Sequence, residues 1–99
     1  MPADHALFDE TIHAPHRLRV CAMLSAAQKV EFAVLQDHLD LSKSALSKHL
    51  TQLAEAGYVT QERAVRDARS RVWVSLTPEG AQAYRAHVRA LLELVRAEG

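Results

Sequence analysis

Several residue types are scarce in this chain of 99 residues, which has one cysteine, three glycines, three prolines and five aromatic residues. The single cysteine, Cys21, excludes an internal disulfide, and its apolar neighbours predict a small buried side chain. The scarcity of aromatic residues requires a core of leucine, valine and alanine. No apolar run approaches the length of a membrane span, so we expect a cytoplasmic protein with no membrane partner.

Charge of neither sign dominates, because twelve lysine and arginine residues balance twelve aspartate and glutamate residues. A nucleic-acid binder is often basic overall, so the total argues mildly against one. The distribution is uneven: residues 41–77 carry six positive and three negative charges, whereas residues 1–40 carry three positive and six negative. Phosphates respond to the local potential, so the middle third is the candidate surface for an anion.

A helix-turn-helix is predicted over residues 32–56. Its first helix places Val34, Leu35 and Leu39 inward, and a short turn at Asp40 and Leu41 follows. Its second helix has apolar positions three and four residues apart between a serine cap and a terminating glycine. Ser42 is the cap and Gly57 is the terminating glycine. The apolar positions between them are Ala45, Leu46, Leu50 and Leu53.

A β-hairpin, or wing, is predicted over residues 59–76. Residues 71–76 alternate, with Val72, Val74 and Leu76 on one side, as in a half-buried strand. Residues 59–63 precede it, and residues 64–70 are expected to form the turn. Residues 30–32 favour a further, very short strand.

The other helices are predicted over residues 4–14, 15–27 and 78–98. Asp4 caps the first, and Thr77 and Pro78 begin the last. This order predicts one domain over residues 1–99, mainly α with a small β-hairpin, of the winged helix-turn-helix class.

The second helix of the helix-turn-helix leaves a polar face beside its apolar one. The face combines two cations with four short hydroxyls, which can approach base edges as donors or acceptors: Ser42, Lys43, Ser44, Ser47, Lys48 and Thr51. Alone, such a face is equally typical of an ordinary solvated helix. The hairpin favours DNA, because Arg63, Arg66, Arg69 and Arg71 lie close together with Asp67 as the acid between them. Asp67 is expected to orient Arg69.

Three stretches carry a resemblance to known proteins. Residues 41–59 resemble the recognition helix of MarR-type and ArsR-type bacterial regulators, and residues 66–80 resemble the MarR-type wing. Residues 12–20 are similar to the start of a small, single-domain subgroup of winged-helix regulators. The resemblance implies that Lys43, Ser44, Ser47 and Lys48 enter the major groove of double-stranded DNA. It implies that Arg69 approaches the minor groove.

The resemblance also implies a homodimer built from the terminal helices. The matching apolar residues are Leu7, Phe8, Ile12, Val88, Leu91, Leu92 and Val95. It suggests a repressor acting on a palindromic operator. The chain is shorter than a MarR protein, which argues against a deep effector pocket, and residues 30–39 lack the cysteine pair of many ArsR-type metal sensors.

Two alternatives stay open: a ligand- or metal-responsive sensor of the same fold, and a winged-helix module that binds protein instead of DNA. Among six histidines, only His13 and His16 are closely spaced, and Pro15 between them disfavours a shared metal. His49, on the recognition helix, is expected to pack or to contact phosphate. No catalytic motif is recognisable, so no enzyme, metal or cofactor is predicted.

Overall fold

A computed structural model describes residues 8–98, which form five helices and three strands. In chain order these are α1 (Glu10–His13), α2 (Pro15–Ser25), β1 (Val30–Glu31), α3 (Phe32–Leu39), α4 (Lys43–Glu55), β2 (Val59–Arg66), β3 (Arg69–Leu76) and α5 (Pro78–Glu98). The helix-turn-helix, the hairpin and the last helix therefore lie where the sequence predicts them. The fold is mainly helical with one small sheet, as expected.

The sheet is antiparallel, with strand β3 between β1 and β2. Val30 pairs with Val74, and the hairpin pairs Val59 with Leu76 at one end and Arg66 with Arg69 at the other. The prediction of a turn over residues 64–70 is wrong, because β2 continues to Arg66 and the turn contains only two residues. Residues 60–66 are exposed on both faces of the strand, so no alternation of apolar residues marks them.

Asp67 and Ala68 form this two-residue turn, and both have positive φ, 53° and 61°. Two consecutive left-handed residues match the twist of a tight hairpin, which is why Asn-Gly and Asp-Gly are common there. Alanine in the second position of the turn is not typical of this turn type. The turn could therefore not be located from its residues.

Local capping explains where the helices begin. Ser42 caps α4 by accepting a hydrogen bond from the Ala45 amide at 3.1 Å, as predicted. Thr77 caps α5 in the same way, accepting from the Gly80 amide at 2.9 Å. Gly80 is required for packing, because a Cβ there would lie 2.1 Å from the carbonyl oxygen of Tyr58. The last helix thus starts in direct contact with the residue before β2.

The core is mostly leucine and valine, as the composition predicts, but alanine contributes less than expected: Ala90 is the one buried alanine among the described core residues, which also include Ile12 and Cys21. Its fully buried members are Ile12, Val20, Cys21, Leu35, Leu46, Leu50, Leu53 and Val74, each 0% exposed. Burial raises the pKa of the Cys21 thiol to about 11, so this cysteine is a core side chain as predicted. Val34 was expected inward but is 50% exposed, because one helical step of 100° turns it away from its buried neighbour Leu35.

The N-terminal helix differs from its prediction over residues 4–14. Asp9 caps a single turn, α1, by accepting from the Ile12 amide at 3.0 Å, and Phe8 precedes that turn. Asp4 and Leu7 lie outside the described residues. Ile12 is buried within the chain's own core, so it has no free surface for the dimer contact expected of it.

The last helix, α5, extends beyond the rest of the domain. Along its final turns Leu92, Leu94 and Val95 are 49%, 51% and 66% exposed, whereas Val88 and Leu91 are half-buried. Within residues 8–98, no helix combines the length and the apolar character that crossing a bilayer would require.

Candidate nucleic-acid interface

Helix α4 presents the predicted polar face to solvent. All six of its residues are exposed and line one shallow concave surface: Ser42, Lys43, Ser44, Ser47, Lys48 and Thr51. On the opposite side Leu46, Leu50 and Leu53 are 0% exposed. The buried leucines fix the rotation of the helix about its axis, and this rotation holds the polar face outward.

A tight turn sets the angle between α3 and α4. Asp40 ends α3 in the left-handed region at φ 55°, and the Leu41 amide donates to the carbonyl of Gln36 at 3.2 Å. Aspartate is among the few residues other than glycine that adopt this conformation readily. The Asp40-Leu41 turn predicted from sequence is therefore the hinge of the helix-turn-helix.

Arg17 connects the N-terminal turn to the polar helix, a role that sequence reasoning missed. Its guanidinium donates to the carbonyl of Thr11 and to the side chain of Gln52, and lies 3.4 Å from Nδ1 of His49. Gln52 and His49 both belong to α4. No local pattern could have revealed contacts between residues 32 and 35 positions apart.

His49 packs against this arginine. Burial and then the charges of Arg17, His16 and Lys48 lower the pKa of His49, and its ring lies 5.4 Å from that of His16. Of the two roles expected for His49, the structure shows packing. His16 turns toward α4, whereas His13 turns toward α5, so these two histidines do not share a site.

The wing separates its four arginines into two pairs. Arg63 donates to Ser70 at 2.7 Å, and Arg71 forms an ion pair with Glu31 at 3.3 Å. Arg66 and Arg69 face each other beside the turn, both exposed, and within residues 8–98 neither has an ion-pair partner. Two arginines at paired positions beside the turn place two positive charges at the tip of the wing, and arginine suits phosphate contact.

Asp67 does not orient Arg69 as predicted, since Arg71–Glu31 is the ion pair found in the described part of the chain. Asp67 instead occupies the first position of the tight turn, where aspartate tolerates positive φ. Its contribution is to the hairpin backbone.

The helix and the wing meet in a cleft. Lys43 and Ser47 line it from α4, and Arg63, Ser70 and Arg71 line it from the hairpin, enclosing about 310 Å³. The structure thus brings together residues that lie 16 to 28 positions apart in the sequence. The result is one continuous polar surface with positive charge on both sides.

Lys29 extends the positive charge to the outer face of the sheet, which sequence reasoning also missed. Its ammonium lies 5.0 Å from the ring centroid of Trp73, within reach of a cation–π interaction. Arg66 and Arg71 line the same shallow surface.

No group of three or more histidine, cysteine, aspartate or glutamate side chains suited to a metal ion occurs within residues 8–98. The features that remain are a helix-turn-helix, an exposed polar helix face and a basic two-stranded wing. Together they define a winged-helix domain of the kind that reads DNA.

Comparison with known proteins gives the same assignment. The family model for the winged helix DNA-binding domain matches residues 16–95, and the chain belongs to this family. A relative in Methanocaldococcus jannaschii, an uncharacterised protein, is 28% identical over 78 residues, which cover 79% of this chain and 85% of that protein.

Two solved structures are similar to this chain over most of their length. A transcriptional regulator homologue from Pyrococcus horikoshii aligns with a TM-score of 0.85 and 25% identity, covering 90% of this chain and 88% of that one. HlyU from Vibrio cholerae aligns with a TM-score of 0.67 and 25% identity, covering 89% and 91%. The winged-helix domain and these neighbours support a DNA-binding regulator.

Proposed function

We propose that the protein is a MarR-like, homodimeric repressor that binds a specific sequence in double-stranded DNA in the cytoplasm. The observation that carries this proposal is the joint surface of α4 and the wing. An exposed face of lysines and hydroxyls on α4 adjoins the wing at a cleft that Arg63, Ser70 and Arg71 line. Arg66 and Arg69 face each other at the tip of the same hairpin, without an ion-pair partner among residues 8–98. A solvated helix face alone would not require the arginine tip.

Helix α4 enters the major groove, which is about 12 Å wide and admits an α-helix. Lys43, Ser44, Ser47 and Lys48 contact base edges, and Ser42 and Thr51 lie at the two ends of the same exposed face. Short hydroxyls let the helix approach closely, and each lysine can reach a guanine edge or a phosphate.

The wing tip contacts the neighbouring minor groove or its phosphates. Arg66 and Arg69 have no ion-pair partner among residues 8–98 and are exposed for this contact, whereas Arg63 and Arg71, further from the turn, are held by Ser70 and Glu31. Arginine is favoured where the minor groove is narrow, because the negative potential is strongest there. The tip therefore contributes affinity and shape preference, and α4 contributes base readout.

The last helix supplies the dimer contact. Leu92 and Val95, both predicted for this role, are exposed together with Leu94 on a helix end that the single chain leaves uncovered. Val88, Leu91 and Phe8 are partly exposed and can join the same contact. A two-fold dimer presents two copies of α4, which matches a palindromic operator with half-sites roughly 34 Å apart.

Selection from a random duplex pool, followed by fluorescence anisotropy on the selected site, tests this proposal. The double variant Lys43→Ala/Lys48→Ala is expected to lose at least about tenfold in affinity, since base-reading and phosphate contacts each contribute on the order of 1 kcal/mol or more. A matched control, Arg19→Ala/Arg85→Ala, removes the same charge from exposed positions outside the surface. Equal losses in both variants would contradict the assignment of α4.

Two further readouts address the finer claims. Sedimentation equilibrium is expected to give a dimer that Leu92→Glu/Val95→Glu converts to a monomer. A reporter carrying the selected site next to its promoter is expected to be repressed by the wild-type protein. No enrichment of any duplex would instead favour a winged-helix module that binds protein.

A further inference from the structure

A histidine of the last helix is sealed inside the domain. His87 is 0% exposed and is the one buried polar or charged side chain among the described residues. The Asp9 amide lies 2.9 Å from its Nδ1, and Nδ1 of His13 lies 3.3 Å from its Nε2. The ring of Phe8 covers both imidazoles, with centroids 4.7 Å from His13 and 4.8 Å from His87.

These contacts set which ring nitrogens donate and which accept. A backbone amide can only donate, so Nδ1 of His87 must carry a lone pair. Neutral His87 then has its proton on Nε2 and donates it to Nδ1 of His13, which accepts through a lone pair. Protonating His87 would place its Nδ1–H against the Asp9 N–H, so two donors would face each other.

The titratable groups that act on His87 all lie in the N-terminal turn: Asp9, Glu10 and His13. Asp9 in turn accepts a hydrogen bond from Tyr58, which precedes β2, and its charge helps to raise the pKa of the Cys21 thiol of α2. Burial and then His13 lower the pKa of His87, and the two acids oppose this only in part. Folded His87 thus binds fewer protons than unfolded His87, so the stability it contributes is complete above about pH 6.5 and is lost as pH falls.

Hydrogen bonds also link this N-terminal turn to helix α4. Its Thr11 carbonyl accepts from Arg17, and Arg17 holds Gln52 and His49 of α4. Its Asp9 carboxylate accepts from Tyr58, which lies three residues after the end of α4. A displacement of residues 8–13 would therefore loosen α4 at two points.

We propose that His13, His87 and the Asp9 amide form an acid-sensitive latch, which holds the N-terminal turn on the last helix and, when it opens below neutral pH, weakens DNA binding through α4. The DNA readout rests on the proposed function, whereas the latch itself does not.

The latch is tested first without DNA. Nitrogen-15 NMR of the imidazoles at pH 7.5 is expected to show His87 neutral with its proton on Nε2. A charged His87, or one with its proton on Nδ1, would overturn the proposal. Urea unfolding is expected to show an unfolding constant that rises by up to about tenfold per pH unit below pH 6.5.

Variants separate this latch from the other histidines. His87→Gln is expected to be less stable at pH 7.5 and to lose much of the pH dependence, while the exposed His38→Gln keeps all of it. His49 also has a lowered pKa, so the contribution of the latch is the difference between wild type and His87→Gln. Should His87→Gln fail to fold, His13→Gln at an exposed position gives the same comparison with a smaller change. Unchanged pH dependence in the folded variant would overturn the latch.

The direction in which DNA affinity changes with pH distinguishes the latch from a simple charge effect. Simple gain of positive charge on histidines would strengthen binding to phosphates in acid, whereas the latch predicts weaker binding at pH 5.5 than at pH 7.5, by about threefold or more. If binding strengthens in acid while the NMR and unfolding results are as expected, only the coupling of the latch to α4 is overturned. Absence of binding at every pH would count against the proposed function and leave the latch results standing.

Discussion

Helix α4 and the wing bring positive charge to one surface, but they are held in opposite ways. The helix has three leucines that are 0% exposed on one side and polar residues on the other. Residues 61–70 of the wing are all exposed and keep their shape through strand pairing and a two-residue turn. The core therefore fixes the position of α4, while the wing tip is free to adapt to the shape of a bound partner. This difference suits base readout by the helix and backbone or shape contact by the wing.

The largest effect is expected from removing the core support of α4. Leu50→Ala leaves a cavity and should lower the free energy of unfolding by about 2–5 kcal/mol. Val65→Ala in the wing, at a residue 73% exposed, should stay within about 0.5 kcal/mol. Urea unfolding followed by circular dichroism measures both, and similar losses would show that the wing is supported by packing after all.

The second-largest effect is expected on DNA affinity and sequence preference, which variants in α4 and in the wing should change differently. Lys48→Ala should cost about 1–3 kcal/mol on the selected site and relax its sequence preference, because the contact proposed for Lys48 is to bases. Arg69→Ala should weaken all duplexes almost equally and reduce the slope of log affinity against log salt by about 1. Anisotropy titrations at several salt concentrations on the selected site and on a scrambled duplex check both. If the two variants changed specificity alike, the division of labour would be wrong.

A smaller effect is expected at the start of α4. Ser42→Ala removes the side chain that caps the Ala45 amide and should cost about 1 kcal/mol of stability. Thr51→Ala, at an exposed position inside the helix, should be neutral or slightly stabilising, because alanine favours the helix interior. Thermal unfolding of the two single variants distinguishes a cap from an ordinary surface hydroxyl.

The smallest effect is expected at the wing turn. Ala68 has φ 61°, a conformation that costs alanine more than glycine, so Ala68→Gly should stabilise the protein by about 0.5 kcal/mol. Ala64→Gly within β2 should destabilise it by a similar amount. Chemical unfolding is again the measurement, and a loss of stability in Ala68→Gly would show that the turn does not need the left-handed conformation.

What could be predicted from the sequence was local. The caps at Ser42 and Thr77, the stop at Gly57 and the strand over residues 71–76 each depend on a few neighbouring residues, and these predictions are confirmed. The alternation predicted for that strand is not seen in its burial, because Val74 alone is buried and the other five residues are all half-buried. Strand β2 could not be delimited because solvent covers both of its faces. The turn at Asp67 and Ala68 was missed because alanine rarely adopts a positive φ and therefore does not indicate such a turn in a sequence.

The long-range contacts lay beyond sequence reasoning for a different reason. His13 meets His87 across 74 positions and Arg17 meets Gln52 across 35, so only the packed fold brings them together. The polar face of α4 was predictable because a helix repeats every 3.6 residues. That Lys43 and Ser47 of α4 share one cleft with Arg63 and Arg71 of the wing is a property of the fold, and the contacts of both regions with DNA remain predictions.

Footprinting on the selected operator tests the central claim most directly. Methylation interference and hydroxyl-radical cleavage would be measured for the wild-type protein and for Arg66→Ala/Arg69→Ala. We expect two major-groove patches roughly 34 Å apart, flanked by minor-groove protection that only the arginine variant loses. Loss of the major-groove patches in that variant, or no footprint on any duplex, would contradict the assignment of base readout to α4 and of flanking contact to the wing.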